Sequence, residues 1–221
     1  MRRLIIFLFV LLFTGCGVKP NIEGNILEVK YNNIYLVSSD YNKVKDMVSN
    51  HTYLNEEKKL QNSLIIKTDK DIYSFKLAED YISYNGKMTK DSKINKYLQD
   101  LTKKYQDRDF YEINYVKEFD KANSEIISLD KTSNYIIIKF NRKVTNFKIN
   151  EISSSGDDFS DVDLLYSKEN VNKEVIIRKS IDYKVPDIRI SFTNEYGFRF
   201  SIIPRYNDDK LEFVTSVKQE V

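Results

Sequence analysis

Eight short apolar runs between Ile126 and Val214 restrict how the second half of this chain can fold. They are Ile126–Leu129, Tyr135–Phe140, Val144–Ile149, Val162–Tyr166, Glu174–Arg178, Asp187–Phe192, Phe198–Ile203 and Leu211–Val214, mostly at spacings near 8 to 13 residues with polar turns between. None carries the i, i+3, i+4 repeat of an amphipathic helix. Strand side chains alternate between two faces, so such runs bury one face each and stack as antiparallel sheets. Ile188, Ile190 and Phe192 alternate with Arg189 and Ser191, the mark of a strand with one wet face. A further strand is expected at Phe110–Val116, after the charged run Lys103–Asp109.

The stretch before it has a different rhythm. Asn32-Asn33 separates two apolar-alternating runs and reads as a hairpin turn, because Asn tolerates positive φ. Ser39 or Asp40 can cap a helix carrying Val44, Met47 and Val48 on one face. The runs SLIIKT and DIYSFKL join at Asp69-Lys70, and YISYNGKMTK carries Asn85-Gly86, the strongest type I′ turn signal in the chain. Asp91 or Ser92 can start a second helix, with Ile94, Tyr97, Leu98, Leu101 and Tyr105 on its stripe and Lys93, Lys96, Lys103 and Lys104 off it. The expectation is an α+β domain of order ββαβββα over 25–118, followed by an all-β domain over 119–221. In its pattern of strands and turns the second domain resembles an immunoglobulin-like sandwich. It has no Cys pair and no Trp, which excludes the antibody-type core.

The N-terminus sets the address. Ten apolar residues, Leu4–Phe13, follow Met1-Arg2-Arg3 and stop at Thr14-Gly15-Cys16. A spanning helix needs about 20 such residues, whereas a basic start, a short apolar core and small residues make a secretory signal. At Phe13-Thr14-Gly15-Cys16 the sequence resembles a bacterial lipoprotein precursor, with Phe13 where that family usually has Leu. The resemblance covers residues 1 to about 20. It implies that Cys16 is alkylated with a diacylglycerol and becomes the mature N-terminus. Residues 1–15 are then a signal peptide and 16–24 a lipidated tether. Two acyl chains hold a protein stably where one holds it marginally, so the expected place is the extracytoplasmic face of the cell membrane.

Composition narrows the partners. The chain has 35 basic residues, which become 33 once Arg2 and Arg3 are removed, against 33 acidic. Such a balance argues against a nucleic-acid binder, which needs a basic excess. Cys16 is the only cysteine, so no disulfide forms within a monomer and the fold rests on its core alone.

Candidate chemistry is sparse. His51 is the only histidine and is read as a surface residue, leaving no histidine cluster for a metal. Ser128 to Lys131, SLDK, has the Ser-x-x-Lys spacing of serine acyl enzymes, but it ends a strand, where the lysine does not stand one helical turn above the serine. Asp157, Asp158, Asp161 and Asp163 form an acidic loop, 157–163, that lacks an EF-hand's turn glycine and twelfth-position Glu. The reading is a non-enzymatic envelope lipoprotein with no catalytic residue, metal or cofactor assigned, and Cys16 as its one modification site. It would act as an interaction or structural module touching another envelope protein or a wall polymer. The alternative is a solute-binding lipoprotein with a cleft between its two domains, and after it an envelope hydrolase.

Overall fold

The computed structural model describes residues 17–56, 60–119, 125–155, 158–183 and 185–220. These residues are mostly strand, with two helices near the N-terminus and antiparallel sheets in the C-terminal part. The chain divides into two units, Met1–Lys104 and Tyr105–Val221.

In the first unit, β1 (Ile26–Tyr31) turns through Asn32, at φ +53°, into β2 (Ile34–Tyr35). Helix α1 (Ser38–Ser49) follows and buries Val44 and Val48. It starts just ahead of the expected cap. Val37 caps it with extended backbone and no side-chain bond, and its carbonyl accepts from the Asp40 N–H at 3.0 Å. Next come β3 (Asn55–Glu56), β4 (Asn62–Thr68), β5 (Ile72–Leu77), β6 (Tyr81–Tyr84) and β7 (Lys87–Lys90). Asn85 and Gly86, at φ +50° and +72°, supply the two left-handed residues that close β6 on β7. Helix α2 (Ile94–Tyr105) ends the series, capped by Asp91, whose Oδ1 accepts the backbone N–H of Lys93 and of Ile94, each at 2.7 Å.

The sheet order is β2-β1-β4-β5-β6-β7-β3 with every pair antiparallel. Among the described residues five strands stand between the helices, which corrects the order ββαβββα. β3 has two residues, too few to show a period, and three residues separate β5 from β6. Alternate residues Tyr73, Phe75 and Leu77 of β5 are buried and their neighbours exposed, so one face of the sheet is covered.

Residues 17–24 are not a free tether. Val18 and Tyr53 exchange both backbone hydrogen bonds at 2.9 Å. Pro20 and Ile22 are buried, the Glu23 N–H donates to the Tyr73 hydroxyl at 3.1 Å, and the Asn25 N–H donates to Asp69 Oδ1 at 2.9 Å. A composition of Gly, Pro and Asn reads as a linker, yet Pro20 and Ile22 enter the core and Val18 is half-buried.

The second unit holds β8 (Tyr111–Lys117), β9 (Ile126–Ser128), β10 (Asn134–Phe140), β11 (Val144–Ser155), β12 (Asp158–Val171), β13 (Glu174–Arg178), β14 (Ile188–Thr193), β15 (Phe198–Asn207) and β16 (Lys210–Gln219). They form two sheets, β8-β10-β13-β9 and β12-β11-β14-β15-β16, in which only the β9–β13 pairing is parallel among the described residues. β8 pairs with β10 from Asn134↔Lys117 to Phe140↔Tyr111, and so belongs to this unit although the sequence reading ended the first domain at 118.

Aromatic rings lock the two sheets together. Phe140 of β10 meets Phe192 of β14 edge-on at 4.9 Å, Tyr111 of β8 meets Phe192 at 5.2 Å, and Phe110 meets Phe200 of β15 at 4.9 Å. Phe147 lies parallel to Phe192 at 6.4 Å. Such pairs add about 0.5–1.5 kcal/mol each beyond the area they bury. The other side of β10 carries Tyr135 and Ile137, which pack with Ile176 under Val116, Phe119 and Ile126. Phe192→Ala should therefore lower stability by about 3–5 kcal/mol, read as a lower urea midpoint. Val162→Ala, on an exposed stretch of β12, should stay within about 0.5 kcal/mol.

Candidate functional site

A chain of amides leads into a cavity of about 660 Å³ in the first unit. The Ser63 N–H donates to Asn32 Oδ1 at 2.9 Å, Asn32 Nδ2 to Asn62 Oδ1 at 3.2 Å, and Asn62 Nδ2 to Asn95 Oδ1 at 3.2 Å. The Tyr31 hydroxyl also donates to Asn95 Oδ1, at 2.8 Å. Burial pushes the Tyr31 phenol above its ordinary range, against weaker opposing hydrogen bonds from Gln99 and Asn32, so it remains a neutral donor. Both lone pairs of the Asn95 oxygen are thereby used. Asn95 is only 4% exposed and lines the cavity, so its amide N–H groups are what it offers a guest. Around it stand Gln61, Gln99 and Ser92, with Glu79, Asp80 and Lys96 supplying charge. The wall is polar, mixed in donors and acceptors, and suits a small polar molecule carrying a carbonyl or hydroxyl acceptor. Aligned amides polarise one another, and this strengthens the terminal donor.

No protein-family model, curated protein or solved structure matches the chain. The site is read from its own geometry.

His51 is not the free surface residue that its polar surroundings suggest. Its Nε2 stands 2.7 Å from Asp91 Oδ2, with the two side chains 26% and 11% exposed, and its ring meets Tyr53 edge-on. Asp91 thus uses one oxygen to cap α2 and the other to hold His51. Burial alone would raise the Asp91 pKa, but the Ile94 and Lys93 N–H groups and His51 together hold it below the ordinary carboxylate value. Tyr53 is buried, donates its hydroxyl to the Val48 carbonyl at 3.1 Å, and is pushed well above the usual phenol range by burial and then by Asp91.

The other candidates from the sequence separate. Cys16 and Asp157 lie outside the described residues. Asp158, Asp161 and Asp163 lie on β12 rather than on a loop, because backbone pairing extends the hairpin through Ser154↔Phe159. Asp161 pairs with Arg189, Asp163 accepts its neighbour Leu164's N–H, and no group of three metal-ligating side chains occurs among the described residues. Ser128 ends β9 and its hydroxyl reaches only the Asp130 carbonyl, at 3.5 Å. Lys179 is the lysine that engages this stretch. Its Nζ lies 3.2 Å from Asp130 Oδ2 and in close contact with Asp187 Oδ2, and the Ser180 N–H also reaches Asp130. Burial would lower the Lys179 pKa, but Asp187 and Asp130 raise it. Lys96, Lys103 and Lys104 are exposed on α2, as the helical stripe requires, and Lys93 is exposed just ahead of it.

Sequence reasoning missed Asn95 and Lys179. The one signal for Asn95 was its position beside Ile94 on the rim of the apolar stripe, where a polar residue enters the interior. The parallel β9–β13 pairing brings Asp130 to Lys179 across 49 residues, whereas Asp187 lies only eight residues on, just ahead of β14.

Two titration experiments follow. Asp91→Ala should cost about 1–2 kcal/mol through the lost cap. Because the folded-state pKa of Asp91 is depressed, its contribution is complete above the unfolded value of 3.8 and disappears as the pH falls through the lower folded value. Acid unfolding of the variant should therefore be flatter between the unfolded value and the lower folded one. Lys179 behaves oppositely. Its raised pKa makes its contribution complete below the unfolded value of 10.5 and lost above it, so Lys179→Met should flatten the alkaline limb of the stability curve.

Proposed function

We propose that the chain is a non-enzymatic lipoprotein anchored by Cys16 to the extracytoplasmic face of the cell membrane, with an α+β first unit and an immunoglobulin-like sandwich that serves as an interaction or structural module. The observation that carries the reading is the order Arg2-Arg3, Leu4–Phe13, Thr14-Gly15-Cys16. No helix among the described residues is long and apolar enough to cross a membrane, so attachment in this reading rests on the lipid. The titratable residues with the strongest local couplings have structural work. Asp91 and His51 hold a helix start, and Lys179 bridges two aspartates. Facing sheets locked by Phe140, Phe192 and Phe200 support the sandwich, although fold alone does not assign an activity.

A second reading, capture of a small polar solute, is favoured by the Asn95 cavity. In this form the solute site lies within the first unit.

Expression of wild type and Cys16→Ala in a lipid-modifying host tests the first reading. The wild-type product should fractionate with membranes and begin at a Cys16 carrying a diacylglycerol thioether by mass spectrometry, while Cys16→Ala should leave the membrane fraction. An unmodified wild-type Cys16 would falsify it. For the second reading, a thermal-shift screen of neutral polar solutes should find at least one that stabilises wild type and leaves Asn95→Leu unmoved; equal shifts in both would refute it.

A further inference from the structure

The lipid anchor and the folded unit are almost contiguous. Two peptide links separate Cys16 from Val18, and Val18 is already fixed by paired 2.9 Å hydrogen bonds to Tyr53. Gly17 lies close against the neighbouring segment, where an added Cβ would stand 2.4 Å from Thr52 Cγ2 and 2.5 Å from Leu54 Cδ2. With Pro20 and Ile22 buried just beyond, this segment has no slack to release. Consecutive Cα atoms are 3.8 Å apart, so the Cα of Cys16 lies within about 7.6 Å of that of Val18. The polar layer of one leaflet is only about 5–8 Å deep. Acyl chains seated in the hydrocarbon region therefore hold the Tyr53 edge of the sheet at headgroup level.

The side chains on that edge fit such a place. Leu54 is 55% exposed beside Gly17, and Thr52 and Lys19 are exposed next to it. A leucine at the interface gains by entering the acyl boundary, and a lysine can lay its stem along apolar surface while its ammonium stays among phosphates.

We propose that the edge formed by Gly17, Lys19, Thr52 and Leu54 is a membrane-docking surface whose partner is the phospholipid headgroup layer. This rests on the lipid-anchored reading and goes beyond it, because an anchored protein on a long linker would leave the same edge in water. Docking orients the first unit with its β3 edge against the bilayer. The Asp69-Lys70 turn, reached by the segment at Asn25, is carried away from it.

The chain contains no tryptophan, so one substitution makes a clean reporter. Full-length Leu54→Trp and Ile72→Trp, both at exposed positions, are produced in a lipid-modifying host and reconstituted into phosphatidylethanolamine–phosphatidylglycerol vesicles containing acyl-brominated lipid. Leu54→Trp should be blue-shifted and quenched at least about threefold more than Ile72→Trp. Thr52→Trp gives the same reading if the first variant does not fold. Equal quenching at the two positions in protein whose Cys16 carries the lipid overturns docking alone. Mass spectrometry showing an unmodified Cys16 on the same sample overturns the anchored reading, and docking with it.

Discussion

One carboxylate joins the parts of the first unit that matter most. Asp91 Oδ1 fixes the start of α2, and so the position of Asn95 one residue into that helix; its Oδ2 fixes His51. His51 stands against Tyr53, and Tyr53 holds Val18. The edge nearest the proposed anchor and the amide-lined cavity thus depend on the same side chain through short covalent and hydrogen-bonded paths. A carboxylate can fill both roles only while ionised, and the helix N–H groups that favour the anion are the ones it caps.

The second unit is held differently. Its polar links lie toward the margins, as with Lys179 and its aspartates or Arg189 and Asp161, while the space between the sheets is filled by rings. Phe192 is the centre of that layer, within ring contact of Phe110, Tyr111, Phe140, Phe147 and Phe200. With no disulfide available within one chain, these large apolar faces do the work that cross-links do in smaller disulfide-bonded domains.

What the sequence reveals depends on how local the cause is. Asn85-Gly86 is legible because two residues alone decide the turn, and the strands of the second unit are legible because alternation is a property of each strand by itself. The extensions of β11 and β12 past Ile149 and before Val162 are not, since Ser153–Ser155 and Asp158–Ser160 show no apolar period and are held by the backbone ladder. Segment 17–24 is misread because its composition is that of a linker, and only tertiary contacts show that Pro20 and Ile22 point inward. Of the candidate site, Asp91 was expected as a cap, while the relay Asn32–Asn62–Asn95 joins residues brought side by side by a hairpin, a strand and a helix. No spacing rule connects them.

The outer edge of the five-stranded sheet bears on what kind of partner the second unit can accept. β12 is a 14-residue edge strand, and a long flat edge invites pairing with a foreign strand. Here the register shifts twice, leaving Leu165 and Val162 as extra residues on β12 opposite Ile149/Asn150 and Glu151/Ile152. Bulges twist an edge out of plane, and Asp158, Asp161, Asp163 and Lys168 add charge along it. Arg189 braces the arm by binding both the Asp161 carboxylate and the Phe159 carbonyl. An edge so interrupted and charged resists strand addition. A protein that binds this arm would therefore be read by its side chains, among them the exposed Val162, Leu164 and Leu165 set between carboxylates.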